Sequence, residues 1–169
     1  STEGGDVVIT PLNHATFLLE FAGRAVYFDP TREVSYEGLP KAAAIFVTDL
    51  HADHMDAVAI EKLGGPDVTV ITSPAVAEKL PKSLTRVTAM KNGMISTSKA
   101  MLVPMIPSLG VETVPMYNKQ RGPAPGKVFH EKGRGNGYVL FHVNNRFYAP
   151  GDTECTDEMK ALTNIDVAF

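Results

Sequence analysis

Short apolar runs separated by turn residues fill the first half of the chain. Runs rich in Val, Ile, Phe and Tyr at residues 6–10, 16–21 and 24–29 predict β-strands. The residues AGR, with Gly23 at their centre, predict a hairpin turn between the second and third strands. The run AAIFVT at residues 43–48 is apolar throughout, a pattern typical of a strand that is buried on both faces.

Helical patterns alternate with further strands after this run. A helix is predicted where apolar residues recur at helical spacing, and GGP or a proline ends it. Ser73 is placed as an N-cap with Pro74 at the first helical position. The predicted elements are a helix at 56–63, a strand at 67–72, a helix at 73–80 and a strand at 85–90. Strands that alternate with helices predict the α/β fold class.

The pattern loosens in the second half of the chain. Prolines and glycines interrupt residues 101–135, which predicts a long functional loop with a strand at 111–115. A hairpin (137–143 and 145–150), a helix (155–163) and the start of a strand (164–169) follow. Because this last apolar run looks unfinished, we expect residues 1–169 to be a single domain that lacks a C-terminal segment.

Composition and charge exclude several classes of protein. The 169 residues suit one domain, and the net charge of −3 without a basic block does not favour nucleic acid as a partner. No apolar run reaches the roughly 18–20 residues that cross a bilayer, so no membrane partner is predicted. No signal peptide is visible. The compartment stays open between the cytoplasm and export after signal cleavage.

The stretch FVTDLHADHMD, at residues 46–56, concentrates the candidate chemistry. Two histidines and three aspartates lie between Asp49 and Asp56, directly after a predicted buried strand, where α/β folds place their sites. Imidazole and carboxylate groups ligate zinc, and also iron or manganese. The alternative is a solvated acidic helix start, and Asp56 alone fits an N-cap. The density of Asp49, His51, Asp53 and His54 favours a metal site.

Two later residues fit the same site. His130 lies in a glycine-rich loop before a predicted strand, and Asp152 lies in a Gly-Asp turn after one. Each alone is more often a surface or turn residue. Their positions at strand ends, in a chain that already has a metal loop, indicate that they join it.

These motifs resemble the metallo-β-lactamase superfamily signature H-x-H-x-D-H after a buried strand. NHATFLLEFAGRAVYFDP, HEKGRGNGYVL and YAPGDTE are similar to segments of the branch that contains ascorbate-6-phosphate lactonase-like proteins. The resemblance runs from Asp6 to Phe169. It implies an αββα sandwich of two similar halves, of which this chain would hold an incomplete second half.

The resemblance also implies a role for each matching residue, around one or two zinc ions. His51 and His130 would ligate the first ion. Asp53 and His54 would ligate the second, and Asp53 would also be catalytic by positioning the attacking hydroxide. Asp152 would bridge the two ions. His14 and Asp29 would lie near or behind the ligands and orient them.

This sequence departs from the family pattern in two ways. Asp49 stands where the signature has its first histidine; as a ligand it would favour manganese or iron over zinc. Alternatively, Asp49 bonds a ligand histidine and only one ion binds. The family's last histidine ligand has no counterpart among the five histidines of this chain. The second ion would then need a ligand from another chain or from a further segment.

The leading functional hypothesis is a metal-dependent hydrolase of a small molecule. A metal-bound hydroxide would attack an ester, a lactone or another carbonyl or phosphoryl group. The alternatives are a non-catalytic protein that keeps the fold, and an inactive fragment completed by a missing C-terminal segment, a partner chain or a homo-oligomer. Basic residues flank the His130 loop, and a solvated loop explains them better than contact with an anionic substrate; they are Arg121, Lys127, Lys132 and Arg134.

The role of Asp49 can be tested by metal content. If Asp49 is a ligand, Asp49→Ala lowers the metal content of the purified protein as far as His51→Ala does. If Asp49 only supports a ligand histidine, its alanine variant keeps its metal. Elemental analysis of the two variants beside the unmodified protein separates these outcomes.

Overall fold

The computed structural model describes residues 6–97, 106 and 109–169. Fourteen elements are assigned in this part of the chain. The strands are β1 (Val8–Asn13), β2 (Thr16–Phe21), β3 (Arg24–Phe28), β4 (Ala44–Val47), β5 (Thr69–Thr72), β6 (Arg86–Ala89), β7 (Ile95–Ser96), β8 (Leu109–Met116), β9 (Gly135–His142), β10 (Asn145–Ala149) and β11 (Val167–Ala168). The helices are α1 (Ala57–Gly64), α2 (Pro74–Ala77) and α3 (Asp157–Lys160).

The strands form two sheets. The first has the order β1-β2-β3-β4-β5-β6, and the second has the order β11-β10-β9-β8-β7. In the first sheet β1, β2 and β3 are antiparallel, whereas β3 to β6 run parallel. The predicted hairpin turn joins β2 to β3 through Ala22 and Gly23, both with positive φ, as a tight two-residue turn requires.

The inner strands of the first sheet, β2 to β5, are largely buried on both faces. In β4, Phe46 points into the core between the two sheets, whereas Ile45 points into the core against the helices. The same alternation separates Phe28 from Tyr27 in β3. The continuous apolar run of β4 is therefore explained by partners on both sides, and its prediction as a doubly buried strand is confirmed.

The second sheet packs on the inner face of the first and carries α3 outside. Tyr138 and Leu140 of β9 enter the core between the sheets, while Val139 packs on the outer side with Met159. The order of layers is therefore helix, sheet, sheet, helix. The predicted α/β class and sandwich architecture are confirmed.

Several boundaries differ from the sequence prediction. β7 was not predicted, because two residues are too few to show an alternating pattern. β8 is longer than predicted and includes Pro115; β7 pairs with it only at Val111 and Glu112, and among the described residues Pro115 therefore has no partner on that side. α3 and β11 are shorter than predicted. Part of the predicted 101–135 loop lies outside the described residues.

Among the described helices, none has the length and apolar character that crossing a bilayer demands.

Asp56 caps α1 as predicted, and removing this cap tests its contribution. Its carboxylate accepts from the Ala59 backbone N–H at 3.0 Å and also pairs with Arg32. Burial acts to raise the pKa of Asp56, but the hydrogen bonds from Arg32 and Ala59 outweigh it and lower the pKa. We expect Asp56→Ala to lower the free energy of unfolding by about 1–2 kcal/mol.

Denaturant unfolding followed by circular dichroism measures this loss. Asp56→Asn is the matched control, because asparagine caps helices as well as aspartate does and should keep most of the stability. An alanine variant as stable as the unmodified protein would show that the cap contributes nothing.

Candidate metal centre

The candidate ligands meet at one edge of the two sheets. Asp29 directly follows β3, and the loop 48–56 follows β4; because these strands are parallel, both lie at the same edge. The second sheet adds His130, in the loop before β9, and Asp152, in the turn after β10. Residues distant in sequence therefore converge through the packing of one sheet on the other.

Backbone contacts bring the second sheet close to the metal loop. The backbone N–H of Asn136 donates to the Thr48 carbonyl at 3.0 Å, and the Tyr138 hydroxyl donates to the Val47 carbonyl at 3.0 Å. A Cβ atom at Gly135 would lie 2.6 Å from the Thr48 carbonyl oxygen. Only glycine at that position permits this approach, which explains part of the glycine-rich motif around β9.

A first group of ligand atoms comes from Asp49, His51 and His130. One atom from each lies within 4.8 Å of the others. Asp49 and His130 are buried, and His51 is half-buried. His130 Nδ1 lies 2.7 Å from Asn118 Oδ1, so Nδ1 carries the proton and Nε2 presents its lone pair to the group.

A second group comes from Asp53, His54 and Asp152, again within 4.8 Å of one another. His54 is buried, whereas Asp53 and Asp152 are exposed. Asp152 Oδ2 lies 3.4 Å from His54 Nε2 and 3.7 Å from His130 Nε2. The Asp152 carboxylate thus stands between the two groups, in the position that a bridging ligand requires.

Asp29 fixes the orientation of His54 from behind. Its Oδ2 lies 2.8 Å from His54 Nδ1, and Thr48 donates to the same carboxylate through its N–H at 2.7 Å and its hydroxyl at 2.6 Å. Burial raises the pKa of Asp29, and the hydrogen bonds from His54 and Thr48 act against this rise. The Nδ1 bond leaves His54 Nε2 facing Asp53 and Asp152.

The protonation state of His54 depends on the carboxylates around it. Burial acts to lower the pKa of His54, but its bonds to Asp152 and Asp29 outweigh burial and raise the pKa to about 10. The hydrogen bond from His54 lowers the pKa of Asp152. Burial lowers the pKa of His130, which keeps that imidazole neutral. The carboxylates therefore prefer a cation at His54 Nε2, either a proton or a metal ion.

Asp49 has a partner that the sequence did not reveal. Arg134 donates from Nε to Oδ1 at 3.0 Å and from Nη2 to Oδ2 at 2.8 Å, a two-point contact with a fully buried carboxylate. The sequence prediction treated Arg134 as a solvated loop residue. The only signal available was its position between Gly133 and Gly135, close after His130.

A cavity of about 490 Å³ opens beside the second group. Asp53, His54 and Asp152 line it, and so does His14, which lies in the turn between β1 and β2. Within the described part of the chain, no hydrogen bond joins His14 to the candidate ligands. Aromatic rings line the same cavity: Phe17 stacks on Phe28 at a ring-centroid distance of 4.4 Å and on Phe169 at 4.0 Å.

The donor set fits a divalent transition metal. Imidazole nitrogens and carboxylate oxygens converge in both groups, and the far nitrogens of His54 and His130 are held by a carboxylate and an amide, as metal-bound histidines usually are. The six residues predicted as ligands are therefore assembled in two groups of three. Their individual roles stay predictions.

Comparison with known families identifies the domain. Residues 8–169 match the family model described as a β-lactamase superfamily domain. The chain belongs to the β-lactamase superfamily. This membership agrees with the helix-sheet-sheet-helix layers and with ligands carried at the edge of both sheets.

Solved structures are similar to this superfamily domain over most of its length. A protein assigned as a metal-dependent hydrolase from Parabacteroides distasonis is 34% identical, with a TM-score of 0.81, and the match covers 96% of this chain and 68% of that one. Igni18, a metallo hydrolase from Ignicoccus hospitalis, is 21% identical, with a TM-score of 0.67, covering 91% and 64%. CmlA, a diiron β-hydroxylase from Streptomyces venezuelae, shares the fold at 13% identity and a TM-score of 0.68, covering 97% and 34%.

Family membership and the first of these neighbours support a metal-dependent hydrolase in general terms. The chain spans 64% of the length of Igni18, and about one third of CmlA.

The Asp29–His54 contact gives a test of how the second group is held. The Thr48 N–H bonds Oδ1 of Asp29 and His54 Nδ1 bonds Oδ2, but in Asp29→Asn the side chain has an oxygen at only one of these positions. The orientation that keeps the Thr48 N–H bond turns the NH₂ group of the asparagine toward His54 Nδ1, so His54 loses the acceptor that fixes its tautomer. We expect the affinity for Zn²⁺ to fall about 10- to 100-fold. Titration against a chelating dye measures it. The exposed Asp67, changed to Asn, is the control; equal affinity in both variants would contradict the role of Asp29.

Proposed function

We propose that this domain is the metal-binding part of a hydrolase that hydrolyses an ester or a lactone. The observation that carries the proposal is the second group: its three ligand-type side chains line a cavity large enough for a small molecule. A metal ion held there would face the bound substrate directly.

Each residue of the second group, and Asp29 behind it, has a separate proposed role. His54 and Asp152 would hold the ion, and Asp29 would keep His54 in the ligand tautomer. When bound, such an ion polarises a carbonyl or phosphoryl oxygen and lowers the pKa of a coordinated water. Asp53 is exposed to the cavity and within reach of the ligands, and it would orient the attacking water and accept its proton.

The cavity supports a substrate with an apolar part beside its ester. The stacked Phe28, Phe17 and Phe169 offer apolar surface in the cavity that the carboxylates also line. The resemblance to ascorbate-6-phosphate lactonase-like proteins favours a lactone. We propose zinc as the ion, with manganese or iron as alternatives; the diiron protein among the structural neighbours supports keeping iron among them.

A second candidate function is a non-catalytic metal-binding protein. The observation that favours it is the Asp49–Arg134 pair, which neutralises the carboxylate of the first group. In a variant of this second candidate, the chain is inactive by itself. Its active form would be completed by a further segment, by a partner chain or by a second copy of the protein. Bound metal without turnover would support the second candidate.

A paired histidine substitution tests the hydrolase proposal. We expect the purified protein to hydrolyse a panel of lactones and aryl esters, and chelation by EDTA to stop turnover until Zn²⁺ is restored. His54→Gln should lose both its metal and its turnover, because its imidazole is a proposed ligand. Metal content by elemental analysis and hydrolysis rates are the measurements.

His142→Gln is the matched control for this test. His142 is also a buried histidine, but it lies in β9 against Phe21, with ring centroids 5.2 Å apart, and outside both groups. It should keep metal and turnover. Turnover that survives in His54→Gln, or that does not respond to chelation, would overturn the proposal.

A further inference from the structure

The two ligand groups differ in charge. In the first group the Asp49 carboxylate is fully buried and held by both edges of the Arg134 guanidinium, so their formal charges cancel. In the second group Asp53 and Asp152 are both carboxylates. Among the described ion pairs, neither contacts a lysine or an arginine. The attraction for a divalent cation is therefore much stronger in the second group.

Hydrogen bonds also hold the three residues of the first group in a fixed protonation pattern. His130 Nδ1 donates to Asn118 Oδ1, so His130 Nε2 accepts, and His51 Nδ1 lies 3.1 Å from it. With its proton on Nδ1, His51 must accept at Nε2, where Arg134 Nη2 lies 3.3 Å away. Both His51 and Asp49 thus already accept hydrogen bonds from the same guanidinium.

An ion entering the first group would have to displace Arg134. Asp49 would give up a two-point charged contact. His51 Nδ1, which faces Asp49 Oδ2 and His130 Nε2 at 3.1 Å each, could bind the ion only with its proton moved to Nε2, where that proton would meet the N–H of Arg134. The guanidinium does not lose its charge near neutral pH, so it would remain beside the ion as a like charge. Its backbone is also held, because the Ser73 hydroxyl donates to the Arg134 carbonyl at 2.6 Å.

We propose that Arg134 takes the place of an ion in the first group, so that this chain binds one divalent ion, in the second group. The inference refines the proposed function, because it sets how many ions serve that site. Arg134 is then the residue that determines metal stoichiometry. Asp49 serves as the anchor of the guanidinium and not as a metal ligand.

Zn²⁺ titration of the metal-free protein tests this. Isothermal titration, checked by equilibrium dialysis and elemental analysis, should give one Zn²⁺ per chain in the unmodified protein. Arg134→Gln should gain a second equivalent, because the cation that competes for Asp49 and His51 is gone. The double variant Arg134→Gln with Asp49→Ala should return to one, since the freed ligand is removed.

Lys132→Gln is the matched control. Lys132 is a cation two residues away in the same loop, but it pairs with Glu158 on the surface, and its variant should bind one ion. Arg134→Lys is a second variant in case the glutamine variant does not fold. Lysine keeps the positive charge but cannot make the two-point contact with Asp49. The affinity of the Arg134→Lys variant for a second ion should therefore lie between that of the Arg134→Gln variant and that of the unmodified protein.

The outcomes separate this inference from the proposed function. Two ions of similar affinity in the unmodified protein would overturn the inference and leave the hydrolase proposal standing. A folded Arg134→Gln variant that stays at one ion would overturn it as well. Failure of the unmodified protein to bind any Zn²⁺ would overturn both.

Discussion

The candidate site depends on one buried carboxylate, that of Asp29. It accepts hydrogen bonds from the Thr48 N–H and hydroxyl and from His54 Nδ1, and its own backbone N–H donates to Phe46. It therefore joins the end of β3 to the end of β4 and to the metal loop. Asp29 has φ of 44°, a conformation that aspartate tolerates better than most residues do, so the chain turns there while the side chain points back.

The sequence predicted the parts of this fold that local patterns determine. The apolar run of β4, the Asp56 and Ser73 caps and the Gly23 turn each depend on neighbours a few residues away. The extent of β8 and the existence of β7 depend on pairing with distant strands, which no local pattern records. The same distinction explains why boundaries in the second half were predicted less well.

For the candidate site, the sequence indicated the residue types but not their partners. Histidines and aspartates at strand ends led to all six candidate ligands, and these do converge. It could not show that Arg134, 85 positions after Asp49, would meet it. Whether an aspartate in that position ligates an ion or anchors a cation depends on such a contact. That contact arises only when the two sheets are packed together.

The division of the ligands between the two sheets has a consequence for folding. Asp53 and His54 belong to the first sheet, whereas His130 and Asp152 belong to the second, and the sheets meet through the bonds of Asn136 and Tyr138 to the end of β4. Before the sheets dock, the loop after β4 offers two of the three ligands of each group, and the third is missing because it belongs to the second sheet. A bound ion would then recognise the native state alone and shift the folding equilibrium toward it by mass action. The ion would therefore bind after the two sheets have docked and stabilise the docked state, and it would not nucleate folding.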